Sequence, residues 1–414
     1  MTTRAPSATN RLAVAAPMPD AAPVTMATLP SSLPMQFSLS RAAAPCKTNA
    51  RLAQLDFGLF YEIPVAAPWR ERSERDAYHL VIEQAVLGEQ VGFSHFWTVE
   101  HHFLSEFSHC SAPEVLYGAV AARTKTIRIG HGVRLLPFPY NHPVRAAEMA
   151  AMLDCVCDGR LEFGTGRSAT RDELEGFGID PQQTRDMQEE ALDLIVGAWT
   201  TDVFSWEGKH FRVPPRRVLP KPLQKPHPPL WMASTSPMSH EIVGRKGLGL
   251  LSFTIGVPPE ELASRIGLYR AGLKEAKPAG KFVNDRAATF TMVHCAETTE
   301  EARRNAAESV LWYFRRSIEL IGSVAAWQEG RELGSYDYTR MLRDLNLSDV
   351  TFPLLDDMDA VIVGDPETCI RKVKRYREAG CDQLLCLMQP YNIAPDKVTR
   401  SIELFGRYVI PAFR

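Results

Sequence analysis

The sequence predicts a closed parallel (β/α)8 barrel, the α/β architecture of a TIM barrel, and three observations carry that expectation. From Leu55 onward, short β-branched or aromatic runs alternate with longer segments of helical period. The alternation repeats eight times, more often than an open doubly wound sheet usually allows. The 414 residues are 45% apolar and 23% charged, which suits one barrel with additions around a substantial core. The expected strands are 55–60, 95–99, 127–135, 161–163, 230–233, 248–253, 288–295 and 383–388. The expected helices are 74–91, 112–124, 143–157, 184–199, 238–246, 259–276, 298–320, 366–379 and 396–408.

Three segments stand outside this repeat. Residues 1–50 are rich in Ala and Pro, carry Asp20 as their single acidic residue and show no apolar period, so they read as a disordered tail ahead of a barrel over 51–414. Residues 201–229 hold seven Pro, and Glu207-Gly208 reads as the turn of a hairpin that leaves the barrel. Residues 321–364 are too long for an ordinary connection and are expected to form a lid or interface insertion at the carboxyl face.

Charge excludes some functions. Lys and Arg total 47 against 49 Asp and Glu, a net charge of -2, so no global positive field draws the chain to nucleic acid or an anionic membrane. Charges or Pro interrupt every apolar run before membrane-spanning length, so a soluble, cytoplasmic protein is expected. Eight cysteines without a CxxC pair fit a reducing compartment. Cys155 and Cys157 fall on different faces of one helix, and no HExxH pattern occurs, so no metal site is expected.

The candidate chemistry lies at strand ends, where barrels mount their reactive groups. The second strand ends in Glu100-His101-His102-Phe103, and alternation on an extended chain puts Glu100 and His102 on one side and His101 on the other. One histidine then faces the pocket while its neighbours brace it, or the three form a hydrogen-bonded scaffold. The third strand contains Gly130-His131-Gly132-Val133, where glycine marks a bulge, a close ligand approach or relief of crowding in a narrow barrel. After the fourth strand, Gly164-Thr165-Gly166-Arg167 is a poor dinucleotide fingerprint, but Arg167 offers a planar fork to phosphate oxygens. Arg185, at the start of the next helix, would ordinarily be a solvated surface residue. Ser234-Thr235-Ser236-Pro237 reads as a capped helix start with Ser236 as N-cap, which is either plain punctuation or an anion pocket.

Taken in order, these pieces resemble the bacterial luciferase-like flavin-dependent monooxygenases, the family of the luciferase α chain. The resemblance runs from about Leu55 to Arg414. It rests on Glu100-His101-His102-Phe103, Leu136-Pro137 with His142-Pro143-Val144-Arg145, Asp158-Gly159-Arg160-Leu161-Glu162-Phe163-Gly164, the Ser-rich turn after Trp231, and Gly364-Asp365-Pro366-Glu367 through Gly380-Cys381-Asp382. It implies reduced FMN (FMNH2) at the barrel mouth, O2 activation as a flavin C4a-hydroperoxide, and transfer of one oxygen atom to a small organic or carrier-tethered substrate. His101 falls on the family's acid/base histidine, with Glu100 and His102 beside it. Arg167 and Arg185 fall on phosphate ligands, as do Ser234, Thr235 and Ser236. Gly132-Val133, with Gly166 nearby, falls on the bulge under the isoalloxazine, often a non-prolyl cis peptide. Gly166 stands where luciferases carry a cysteine, and Ser234 and Met238 also depart from the pattern.

The sequence has no GxGxxG unit for a nicotinamide, so a separate flavin reductase is expected to supply the reduced flavin. A homodimer through the early barrel helices is expected by analogy. The alternatives are an F420-dependent oxidoreductase on the same barrel and a non-catalytic flavin-binding subunit. Tyr61, Trp69 and the 321–364 segment are the expected determinants of substrate choice.

Overall fold

The computed structural model describes residues 54–253 and 255–414; the tail expected over 1–50 lies outside the described residues. The strands are β1 (Asp56–Tyr61), β2 (His95–Thr98), β3 (Arg128–His131), β4 (Arg134–Leu135), β5 (Leu161–Gly166), β6 (Phe204–Glu207), β7 (Arg212–Arg216), β8 (Leu230–Ser234), β9 (Gly249–Ser252), β10 (Ala287–Cys295), β11 (Ile362–Gly364) and β12 (Gln383–Leu387). The helices are α1 (Ser73–Val91), α2 (Pro113–Arg123), α3 (Pro143–Val156), α4 (Arg171–Gly176), α5 (Thr184–Thr200), α6 (Pro237–Arg245), α7 (Pro259–Leu273), α8 (Thr299–Trp327), α9 (Tyr338–Arg343), α10 (Phe352–Asp357), α11 (Pro366–Glu378) and α12 (Pro395–Leu404).

Strands β1, β2, β3, β5, β8, β9, β10 and β12 pair in parallel in that order, and β12 returns to β1, closing an eight-stranded TIM barrel. Because helices cover the outside and side chains fill the inside, these strands are buried on both faces and read as near-continuous apolar runs. All nine residues of β10 are buried. Inside, Trp97 and Trp231 meet edge to face with ring centroids 5.6 Å apart. Gly130 makes room for them: a Cβ there would lie 2.2 Å from Trp97, so this position tolerates no side chain in a close-packed layer.

The helices begin where the sequence supplies caps. Ser236, Thr298 and Asp365 each accept a backbone N–H of the first turn of α6, α8 and α11, and Pro occupies the first turn of α6 and α11. Differences from expectation are local. The strand expected over 127–135 is broken into β3 and β4 by a cis Gly132–Val133 peptide. Helix α8 runs on to Trp327, and the last helix gives way after Leu404 to a π-helical turn. Helices α4, α9 and α10 and strand β11 were not anticipated.

The hairpin expected within 201–229 is present as antiparallel β6 and β7. Glu190 of α5 anchors it, accepting the Trp206 indole N–H at 3.0 Å and the backbone N–H groups of His210 and Phe211. The 321–364 insertion divides in two. Its second part, α10 and β11, returns to the barrel exterior, where β11 pairs with β10. Its first part packs Val324, Ala325, Leu333 and Tyr336 against Leu174 and Ile179 beside α4 in a small separate apolar cluster. Burying each large aliphatic side chain of such a cluster contributes about 1.5–3 kcal/mol, which holds this stretch beside the barrel mouth.

Candidate active site

The carboxyl ends of the strands surround an open cavity of about 1350 Å³, mouth included, bordered by Glu62, Glu100, His101, Gly132, Val133, Gly166, Arg167, Arg185, Thr235, Ser236 and Ser239. Segments far apart in the chain, from Glu62 to Tyr338, thus meet where a barrel places its functional loops.

At one end stands His101, just beyond β2. Its Nδ1 donates to Glu173 Oε1 at 2.9 Å, and its Nε2 lies 3.5 Å from Glu62 Oε2. Glu173 is fully buried and also accepts from the His102 backbone N–H at 3.0 Å, the Ser168 hydroxyl at 2.6 Å and the Thr170 hydroxyl at 2.7 Å. Burial opposes its ionisation, but the His101 charge and these donors outweigh burial and hold the carboxyl below its ordinary range. Burial likewise pulls His101 down, yet Glu173, by charge and hydrogen bond, followed by Glu62 and Glu100, raises it to about 9. At neutral pH the ring therefore carries a charge, where the sequence alone suggests a histidine titrating near its reference value.

Glu100, on the cavity wall, and His102, behind it, brace this arrangement. Glu100 accepts from the Leu135 backbone N–H at 2.9 Å and the Asn141 side-chain amide at 2.9 Å, with Arg134 Nη1 at 3.5 Å and His102 Nε2 at 3.4 Å. Against the cost of burial these partners keep it ionised. His102 is not among the cavity residues; its ring stacks on Tyr140 and meets Phe177 edge-on. Its expected place in the reacting centre is therefore corrected to one behind the wall, because the chain turns after β2 and Phe103 takes a φ of 62°.

At the other end Arg167 and Arg185 face the cavity together. Arg167 donates to the Thr184 hydroxyl at 3.0 Å and to the hydroxyl and carbonyl of Ser335 at 2.5 and 3.3 Å, and its guanidinium lies 4.3 Å from the Tyr336 ring centroid. Arg185 is half-buried; burial first and the Arg167 charge second make it harder to keep protonated. Among the described residues no carboxylate forms an ion pair with either, and the nearby Glu189 is taken by Lys246 at 3.2 Å. Two adjacent guanidiniums without an ion-pair partner suit an anion. Helix α6 points its first turn at the same place, with Thr235, Ser236 and Ser239 on the cavity wall. Ser234 is the exception: its hydroxyl is turned inward to Ser239 Oγ at 2.6 Å and His240 Nδ1 at 2.8 Å, so the expected contact from that side chain is corrected.

Between the two ends lies the cis Gly132–Val133 step. Val133 leans over Gly166, where a Cβ would lie 2.2 Å from Val133 Cγ2. A cysteine at this position, as in luciferases, is thus incompatible with this placement of Val133. Gly166→Ala is expected to push Val133 into the cavity and destabilise the fold by about 1–3 kcal/mol, measurable as a lower denaturation midpoint with the unfolding slope unchanged.

Sequence reasoning missed Glu62, Glu173 and Tyr313. Thr170-Arg171-Asp172-Glu173 carries a capping-box pattern that would have revealed α4, although the Glu173 carboxylate is turned to His101. Glu62 has no local signature. Of the expected specificity residues, Tyr61 is buried and donates to Gln84 of α1 at 3.0 Å, away from the cavity. Trp69 is half exposed, with its indole N–H on the Val65 carbonyl at 2.8 Å. Among the described residues, no cluster of His, Cys, Asp or Glu is arranged to hold a metal ion, and no helix is long and apolar enough to cross a membrane.

The barrel thus gathers a charged histidine and two guanidiniums around one cavity. A family model described as luciferase-like monooxygenase matches residues 56–383, and the chain belongs to that family. It is 28% identical over 376 residues to limonene 1,2-monooxygenase from Rhodococcus erythropolis, covering 87% of each chain. It is 24% identical over 355 residues to the oxygenase component of a flavin-dependent trigonelline monooxygenase from Acinetobacter baylyi, covering 83% of this chain and 92% of that one. In fold it matches the oxygenating constituent of 3,6-diketocamphane monooxygenase from Pseudomonas putida, solved with FMN, with a TM-score of 0.68 at 24% identity over 86% of this chain and 98% of that one. It also matches an F420-dependent secondary alcohol dehydrogenase, with a TM-score of 0.64 at 22% identity over 87% and 99%.

Proposed function

We propose that the protein is the oxygenase component of a two-component monooxygenase. It takes reduced FMN from a separate flavin reductase and transfers one atom of O2 to a small apolar, carbonyl-containing or carrier-tethered substrate. The observation that carries this reading is the shared cavity. Arg167, Arg185 and the first turn of α6 suit a phosphate, Gly132, Val133 and Gly166 form a floor with no projecting side chain at its glycines, and Glu62 and His101 stand at the opposite end. These residues fit FMN.

When bound, reduced FMN supplies the two electrons that activate O2. The chain's own residues do the rest. Arg167, Arg185, Thr235, Ser236 and Ser239 would hold the phosphate, and Val133 would lie against the ring. His101, held charged by Glu173, stabilises negative charge that develops beside it. Phe107, Phe253, Ile255 and Leu320 line the cavity with apolar surface and limit water there, and Ser335 and Tyr338 of the insertion border it, supporting its role as a lid. The trigonelline relative is itself an oxygenase component, which supports a reductase partner.

The seven described cysteines are all unbridged, which supports the cytoplasm as its location. Exposed Val115, Met152 and Val156 on α2 and α3 support a homodimer through these helices.

The test is to incubate the protein with FMN, a generic flavin reductase, labelled dioxygen and a panel of metabolites. One labelled oxygen in a product supports the reading. Substrate conversion with reduced F420 and no O2 uptake would replace it with hydride transfer, and FMN binding without any conversion would make the chain a flavin-binding subunit.

A further inference from the structure

Glu62 follows β1 and is 2% exposed, yet it borders the cavity. Its backbone carbonyl accepts the Ser108 hydroxyl at 2.6 Å, which fixes the main chain, and its Oε1 accepts the Tyr313 hydroxyl at 2.8 Å, which orients the side chain. Oε2 is different. It is buried, has no hydrogen-bond partner among the described residues and lies 3.5 Å from His101 Nε2. A buried carboxylate oxygen without a donor is costly, and a proton on it removes most of that cost.

The charged and titratable groups facing Glu62 come from several elements: His101 and Cys110 from the segment between β2 and α2, Glu173 from α4 and Tyr313 from α8. Burial pushes the carboxyl above its ordinary range and the Glu173 charge adds to this, while the His101 charge and the Tyr313 hydroxyl pull the other way without prevailing. His101 holds its own proton tightly because Glu173 accepts from its Nδ1. The ring is therefore suited to remain charged, and the carboxyl beside it to exchange.

Building on the monooxygenase reading, we propose that Glu62 is the catalytic acid of this cavity, donating its Oε2 proton to a substrate oxygen while His101 stands beside it as a fixed cation. The Glu62 O–H bond breaks as an O–H bond forms on the carbonyl or alkoxide oxygen that gains electron density during oxygen transfer. The carboxylate left behind is paired by the His101 imidazolium, and water at the open mouth returns the proton. The substrate class follows: a compound apolar enough for Phe107, Phe253, Ile255 and Leu320, with one oxygen acceptor directed at Glu62.

Two measurements test this. In flavin-free protein, infrared difference spectra between mildly acidic and mildly alkaline solution should show a carboxylic-acid carbonyl band that is absent from Glu62→Gln. Tyr313→Phe should move its titration to higher pH, since it removes a donor that favours the carboxylate. In the holoenzyme with a substrate found as above, Glu62→Gln should lower kcat by about 10²–10³-fold with KM changed little. Glu62→Asp should recover part of the loss, and the alkaline limb of the wild-type kcat profile should move upward in Tyr313→Phe. A band that persists in Glu62→Gln, or wild-type kcat and pH limb in that variant, overturns the proposal and leaves the monooxygenase reading intact. A wild-type protein that oxygenates nothing removes the reading and the proposal with it.

Discussion

His101→Ala is expected to lower product formation by about 10²–10⁴-fold while FMN affinity stays within a few-fold of wild type. The ring is the charged centre of a three-member array, with Glu173 on Nδ1 and Glu62 beside Nε2. The anion cradle that would hold the cofactor is built from other strands. Stopped-flow oxidation, product analysis and FMN titration separate the two effects. Equal losses in binding and turnover would show that His101 shapes the pocket and takes no part in its chemistry. The same residue gives stability a pH signature. A histidine raised to about 9 in the fold stabilises it fully below its unfolded value near 6.5, and that contribution, about 3 kcal/mol, is lost as pH rises through about 9. The stability difference between wild type and His101→Asn should therefore shrink between these limits.

Arg167→Ala is expected to weaken FMN by about 10–100-fold and riboflavin by no more than about two-fold, the loss of a charge-assisted hydrogen-bonding group on a phosphate. Riboflavin is the internal control, because Arg167 also holds Ser335 and lies against Tyr336. Any general loosening of the insertion would weaken both flavins alike. Equal losses would assign Arg167 to the insertion and leave Arg185 and the α6 turn as the phosphate site.

The barrel strands were legible because double-sided burial makes most of them predominantly apolar, and all eight occur close to their expected positions. The place of His101 and Arg167 on the cavity was legible because both follow strand ends at the carboxyl face. Partners at long range were not. Glu62 meets Tyr313, 251 residues away, and nothing in Tyr61-Glu62-Ile63-Pro64 announces it. Glu173 sits in a six-residue helix too short for periodicity to register. Ser234 was over-read for the opposite reason: a hydroxyl beside a helix start suggests a ligand, but His240, one turn into α6, captures it.

The Ser335 contact with Arg167 bears on how long a cofactor stays. A guanidinium has five N–H donors, and Thr184 and Ser335 engage three of Arg167's, which leaves two for an arriving anion. Under the proposed two-component reading the flavin would have to leave after each turnover. Part of its residence time would then be set by a stretch of chain 168 residues downstream, so that the dwell of the carrier would be tunable without altering the surface that meets the ring.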